Sequence, residues 1–137
     1  MCQLAVRGEP RLAVSGVELE RDGPSYTIDT VRRLRADGWP AVHWLIGADV
    51  VATLPSWREP EALLREAKLV VVARPGWPVN WDAMPEPFRA LRDNVVEAPL
   101  IPVSATEVRR RVAAGEPIDD LVPPAVAGYI AERGLYR

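Results

Sequence analysis

A parallel α/β fold is the expectation for this chain, and three features carry it. Apolar runs with the look of strands (Leu12–Val17, Ala41–Ile46, Leu69–Ala73, Val95–Val103) alternate with segments of helical periodicity. Two of the runs, AVHWLI and LVVVA, are nearly continuous in apolar residues, as parallel strands inside a sheet are. Fourteen prolines in 137 residues, about twice the average share, mark corners between short elements. Strands joined by helical crossovers pair in parallel, and functional groups of such sheets gather outside the carboxyl ends of the strands.

The elements follow in order. Leu12–Val17 (LAVSGV) reads as a short strand, and Glu18–Pro24 as a polar loop. From Tyr26 to Ala36 the spacing of Ile28, Val31 and Leu34 predicts a helix, which Gly38 stops. Ala41–Ile46, bounded by Pro40 and Gly47, predicts a buried parallel strand. A short helix around Asp49–Leu54 follows, then Pro55 and a second helix from Pro60 to Ala67. Leu69–Ala73 is the clearest strand and ends at the breaker Arg74-Pro75-Gly76. One helix is expected near Pro87–Arg92. Val95–Val103 carries a last strand, interrupted by Pro99 and Pro102. Helices at Ser104–Ala114 and Pro124–Arg133 close with Gly115 and Gly134 as C-terminal caps.

Composition narrows the function. At 137 residues the chain predicts a single domain spanning 1–137. One cysteine, Cys2, excludes an internal disulfide and a Cys-based zinc cluster, and reads as inert. A single histidine, His43, excludes a two-histidine site; set among apolar neighbours, it reads as a core or sheet-face residue. A net charge of −2 argues against a nucleic-acid partner, because phosphate neutralisation needs a basic surface. No apolar run reaches the length of a membrane span, and no secretory signal is visible, so a cytoplasmic protein is the default. Sixteen of the 17 basic residues are arginine, a bias that codon usage explains as well as bidentate anion binding does.

Three strand ends are then singled out. Ser104 and Glu107 have capping-box spacing, so a helix starts there and offers free N–H groups to an anion. Thr106 and Arg109 share a face near that end. Together they would hold a polyphosphate; read alone, a capped helix with solvated arginines accounts for them at least as well. Gly47 lets a ligand approach the backbone, and Asp49 could accept from a ribose hydroxyl, hold a cation, or simply cap the next helix. Trp57 offers a flat ring to a planar ligand, or packs on the domain.

Taken in order, these pieces resemble the nicotinate mononucleotide adenylyltransferase family. The matching phrases are Glu18-Leu19-Glu20-Arg21 into Pro24-Ser25-Tyr26-Thr27 with Thr30, then Leu45-Ile46-Gly47-Ala48-Asp49, Leu54-Pro55-Ser56-Trp57 and Arg74-Pro75-Gly76. Ser104-Ala105-Thr106 with Arg109, Leu121-Val122-Pro123, Tyr129-Ile130 and Gly134-Leu135-Tyr136 complete the series. The resemblance implies a Rossmann-like nucleotidyltransferase fold and an enzyme of NAD biosynthesis. Such an enzyme joins ATP and nicotinate mononucleotide with Mg²⁺, giving nicotinate adenine dinucleotide and pyrophosphate. It also implies roles by position. Ser104, Thr106 and Arg109 hold the ATP phosphates, with Gly47 and Asp49 along the nucleotide near its ribose. Trp57 stacks on the pyridine ring, and backbone amides at Thr27 and Arg58 meet its carboxylate.

One departure bears on activity. The family opens with a strand and a Gly-rich turn carrying a His-x-Gly-His pattern, whose histidines stabilise the transferring phosphate. That pattern is absent, and Met1–Val6 resembles the tail of a later family helix. The expectation is therefore the C-terminal portion of the domain, lacking the first strand and the catalytic turn, and active only when they are supplied. The rival readings are a non-catalytic nucleotide-binding module descended from the enzyme, and an adenylyltransferase acting on another phosphorylated acceptor.

Overall fold

Lys68–Val72 forms β2, the middle strand of a three-stranded parallel sheet in the order β1-β2-β3. β1 (His43–Gly47) runs in register from His43 opposite Lys68 to Gly47 opposite Val72. β3 (Val95–Val96) pairs with Val71 and Val72. The computed structural model describes residues 1–74, 76–99 and 101–137, and the chain divides into two compact units. The sheet lies in the unit Val17–Leu100; the other unit joins Met1–Gly16 to Ile101–Arg137.

In the sheet unit, α2 (Thr27–Ala36) buries Ile28 and Val31 at helical spacing, while Arg33 pairs outward with Asp37 at 3.0 Å. α1 (Cys2–Ala5) belongs to the other unit. α3 (Pro60–Glu66) starts with Pro60, whose missing N–H is harmless at a first turn. α2, α3, β2 and two 3-10 segments, Ala48–Ser56 and Phe88–Asn94, close one apolar core around Val51, Leu54, Leu63, Leu69 and Val71. In the second unit, Val108 of α4 (Ala105–Ala114) and Val126 and Ile130 of α5 (Pro124–Glu132) pack with Ile118 and Leu4. α4 ends on Gly115 at φ +70°, a left-handed backbone that favours glycine.

Five expectations are corrected. Leu12–Val17 forms no strand: Leu12 and Val14 stay exposed, and a strand-like run forms a ladder only beside a partner. The run Val95–Val103 keeps only its first two residues in the sheet, and Pro99 and Pro102, with no N–H to donate, bar the rest of it from a regular ladder; Leu100 lies outside the described residues, as does Pro75 of the turn after β2. β1 is parallel but not buried on both faces. It is the edge of the described sheet, so Trp44 and Ile46 turn to the core while Leu45 is 65% exposed. His43 is likewise exposed at the start of β1, which removes the core alternative and leaves the sheet-face one. The stretches expected as helices near Asp49–Leu54 and Pro87–Arg92 are 3-10 rather than α.

Candidate functional site

The three residues expected at the pyridine end meet in one cavity of the sheet unit. Ser25, Tyr26 and Thr27 form one wall, and Ser56, Trp57 and Arg58 the other, around about 340 Å³. The first wall exists because Tyr26 is the N-cap of α2 and Thr27 its first residue, where backbone N–H groups have no partner within the helix. The second exists because the segment Ala48–Ser56 ends at Trp57, whose N–H donates to the Leu54 carbonyl at 3.0 Å. Of its two expected alternatives, Trp57 shows the packed one. It packs half-buried on the core, and its indole N–H donates to Thr53 Oγ1 at 3.0 Å, which fixes the ring plane. The Arg58 guanidinium lies over the Tyr26 ring, 4.8 Å from its centroid, and ties the two walls together. Arg58 is the only charged side chain in the lining, so the cavity suits an anionic, planar ligand.

Gly47 and Asp49 stand at the carboxyl end of β1. Asp49 accepts from Arg74 Nη1 at 3.3 Å, where Arg74 follows β2, so the two strand ends are joined through an ion pair. Asp49 also lines a 440 Å³ cavity beside the strand end, with Ala48, Trp77 and Asn80. Gly47 has an ordinary extended backbone, φ −74° and ψ 151°. What it supplies is room, since a Cβ there would collide with Asp49 Oδ1.

Ser104, Thr106 and Arg109 all lie on the first half of α4, in the other unit. Ser104 is the N-cap, its hydroxyl accepting from the Glu107 N–H at 3.1 Å. The capping box is only half made: Glu107 turns its carboxylate to Arg110 at 2.9 Å and Arg111 at 3.0 Å instead of reaching back. Arg110 pairs further with Glu116 at 2.8 Å, and Arg111 with Asp120 at 2.8 Å. Arg109 makes no such pair among the described residues, so it is the one arginine of the three free to meet an anion near the exposed N–H groups.

The arginines hold the Glu107 carboxyl at about 2, with Arg110 the larger cause and Arg111 the second. The folded value lies below the unfolded one, so this contribution is present above the ordinary 4.5 and lost as pH falls toward about 2. The expected result is a thermal midpoint higher in the wild type than in Glu107→Gln at neutral pH, the gap closing over that window. Circular dichroism melts of both proteins measure it; a gap constant down to the acid end would remove the assignment.

Among the described residues no group of three or more His, Cys, Asp or Glu side chains is placed to hold a metal ion. No helix of the described residues is long and apolar enough to cross a membrane.

Reading the sequence missed the tie between Arg58 and Tyr26, and that between Arg74 and Asp49. Both sets of residues stood in recognisable phrases, but each pair is brought together only by the fold.

Residues 1–111 match the cytidylyltransferase-like family model. A probable nicotinate-nucleotide adenylyltransferase of Roseiflexus sp. (strain RS-1) is 42% identical over 139 residues, covering 100% of this chain and 70% of the relative. One from Bordetella petrii is 45% identical over 140 residues, covering 100% of this chain and 71% of its own length. Among solved structures, the nicotinic acid mononucleotide adenylyltransferase of Plasmodium falciparum complexed with NaAD aligns at a TM-score of 0.59 and 17% identity, over 82% of this chain and 58% of that one. The same protein complexed with APC gives 0.56, at 17% identity, over 85% and 60%. The chain thus spans about 70% of the two bacterial relatives and less than two thirds of the solved chains.

Proposed function

The chain belongs to the nicotinate-nucleotide adenylyltransferase family, and from that premise we propose that it binds MgATP and nicotinate mononucleotide for adenylyl transfer. The observation that carries this reading is the cavity that brings Thr27, Trp57 and Arg58 together, with a flat ring and a cationic side chain in its lining. Trp57 stacks on the pyridine ring, and the N–H groups at Thr27 and Arg58 meet its carboxylate. Asp49 takes the ribose hydroxyls, with Gly47 leaving room beside it. Ser104, Thr106 and Arg109 hold the phosphates, and Mg²⁺ enters on the ATP. The reading is of a cytoplasmic enzyme of NAD biosynthesis.

The chemistry needs no side-chain nucleophile. A phosphate oxygen of nicotinate mononucleotide attacks the α-phosphorus of ATP, the new P–O bond forms as the α–β bond breaks, and pyrophosphate leaves with the electron pair. Positioning and charge stabilisation supply most of the rate in such transfers. His43 takes no part, since it stands at the opposite end of β1 from Gly47. Stabilisation by imidazole therefore falls to the family's His-x-Gly-His turn, of which this sequence has no copy.

Calorimetric titration tests the reading. The chain is expected to bind MgATP and nicotinate mononucleotide, and to give pyrophosphate once a segment bearing the His-x-Gly-His turn is supplied. Trp57→Leu keeps the apolar packing and removes the aromatic face. It is expected to weaken nicotinate mononucleotide about fivefold, the worth of one aromatic contact, with MgATP unaffected. A folded chain that binds neither nucleotide overturns the proposal. Binding of both without turnover, with the turn supplied, gives the lead to the non-catalytic module.

A further inference from the structure

Thr30 is the one buried polar side chain among the described residues, 4% exposed on the inner side of α2. Its hydroxyl donates to Glu18 Oε1 at 2.7 Å and accepts from Arg21 Nη1 at 3.0 Å. Arg21 also donates from Nη2 to the Asp29 carbonyl at 3.2 Å, and Ser25 Oγ donates to the Glu18 carbonyl at 3.3 Å. Glu18, at the start of the polar loop, and Arg21, in its middle, are thus fastened to one hydroxyl and the helix that carries it, while Ser25 closes the loop back onto Glu18. A buried hydroxyl costs stability unless its hydrogen bonds are made, and its two short ones are made only while Glu18 and Arg21 stay in place; a third, to the Tyr26 carbonyl, is long at 3.5 Å.

The loop runs directly into one wall of the cavity. Ser25, Tyr26 and Thr27 lie between this fastening and the first turn of α2, where the Tyr26 carbonyl accepts from the N–H groups of Asp29 at 3.1 Å and Thr30 at 3.2 Å. Glu18, Arg21 and Thr30 are absent from the cavity lining. Whatever they do for a ligand, they do by placing that wall. A hydrogen bond weakens steeply once its distance or angle is wrong, so selectivity between two head groups of equal shape depends on where the donors stand. A carboxylate only accepts; a carboxamide of the same outline brings an NH₂ that faces other donors.

We infer that Glu18, Arg21 and Thr30 are positioning residues that hold the Ser25–Thr27 wall against Trp57 and Arg58, and so set the preference of the cavity for a pyridine carboxylate over a carboxamide. The inference rests on the reading of this cavity as the pyridine-nucleotide site. It adds that selectivity is set in part by three side chains that touch no ligand.

The test titrates wild type, Thr30→Val, Thr30→Ser and Glu18→Ala with nicotinate mononucleotide and with nicotinamide mononucleotide, alongside thermal melts. Thr30→Val and Glu18→Ala, which removes the acceptor, are expected to lose about fivefold in affinity for the carboxylate, the worth of one net hydrogen bond, with the carboxamide changed less than about twofold. Thr30→Ser keeps the hydroxyl and the wild-type ratio. Glu18 is exposed, so Glu18→Ala answers the question even where Thr30→Val fails to fold. An unchanged ratio in both variants, or equal losses for both ligands, overturns the positioning role while leaving the cavity assignment standing. A wild type that binds neither ligand overturns the cavity assignment, and this inference with it.

Discussion

Arg109→Ala is expected to weaken MgATP binding by about tenfold or more, the loss of a charge-assisted contact to phosphate, with nicotinate mononucleotide affinity and thermal midpoint unchanged. The selectivity of that result comes from the neighbours. Three arginines follow one another on α4, and composition alone cannot rank them. The fold ranks them: Arg110 is held between Glu107 and Glu116, and Arg111 between Glu107 and Asp120. Each of those two carries structural pairs, so its loss alters the helix surface before it alters a ligand. Arg109 has no ion pair to break among the described residues, and it shares a helix face with Thr106, near the end where N–H groups are free. Its guanidinium is thus available to a planar, bidentate phosphate contact. Calorimetry of wild type and variant with MgATP decides the matter. Equal affinities would remove Arg109 from the phosphate site, and Arg110→Ala, expected to lower the melting point first, serves as the comparison.

Local features of the sequence were legible because local physics determines them. The cap at Ser104, the stop at Gly115, the helical spacing of Ile28 and Val31, and the apolar run of β2 each rest on residues within a turn or two of one another. The failures have a different origin. Leu12–Val17 has the composition of a strand, but a ladder is a property of two segments, and no sequence pattern states whether the second stands alongside. Val95–Val103 carried its own warning in two prolines, which cannot donate to a ladder, and the sheet stops at Val96, short of the first of them. β1 looked buried because its residues are apolar, and Leu45 shows that apolar content does not reveal which strand is an edge. The candidate site divides along the same line. The phrases around Thr27, Trp57 and Asp49 were readable. Their links to Arg58, Arg74 and Glu18 were not, because contacts across 12 to 32 residues, as between Glu18 and Thr30 or Tyr26 and Arg58, are set by packing rather than by neighbourhood.

Gly47 separates space from conformation as the reason for a glycine, and its substitution gives the other large effect. The backbone there is extended, so alanine is free of the strain that a left-handed glycine would impose. Removing a glycine from a compatible site stabilises by about 0.4–1 kcal/mol through the unfolded chain. The new Cβ nevertheless collides with Asp49 Oδ1, the far end of a side chain that can rotate away. The collision is therefore relieved by moving the carboxylate, not the sheet, and the 3.3 Å pair with Arg74 is given up. That pair is solvent-exposed on the arginine side and contributes little to stability. Gly47→Ala is thus expected to melt within a few degrees of wild type, yet to lose about tenfold or more in nucleotide affinity, the worth of a hydrogen bond to a charged group. Asp49→Asn should match it in affinity, and the double variant should fall no further, because both changes act through one carboxylate. Additive losses would mean that Gly47 admits the ligand directly, by close approach to its backbone, and that Asp49 acts elsewhere. Full affinity in Gly47→Ala would remove Asp49 from the nucleotide site.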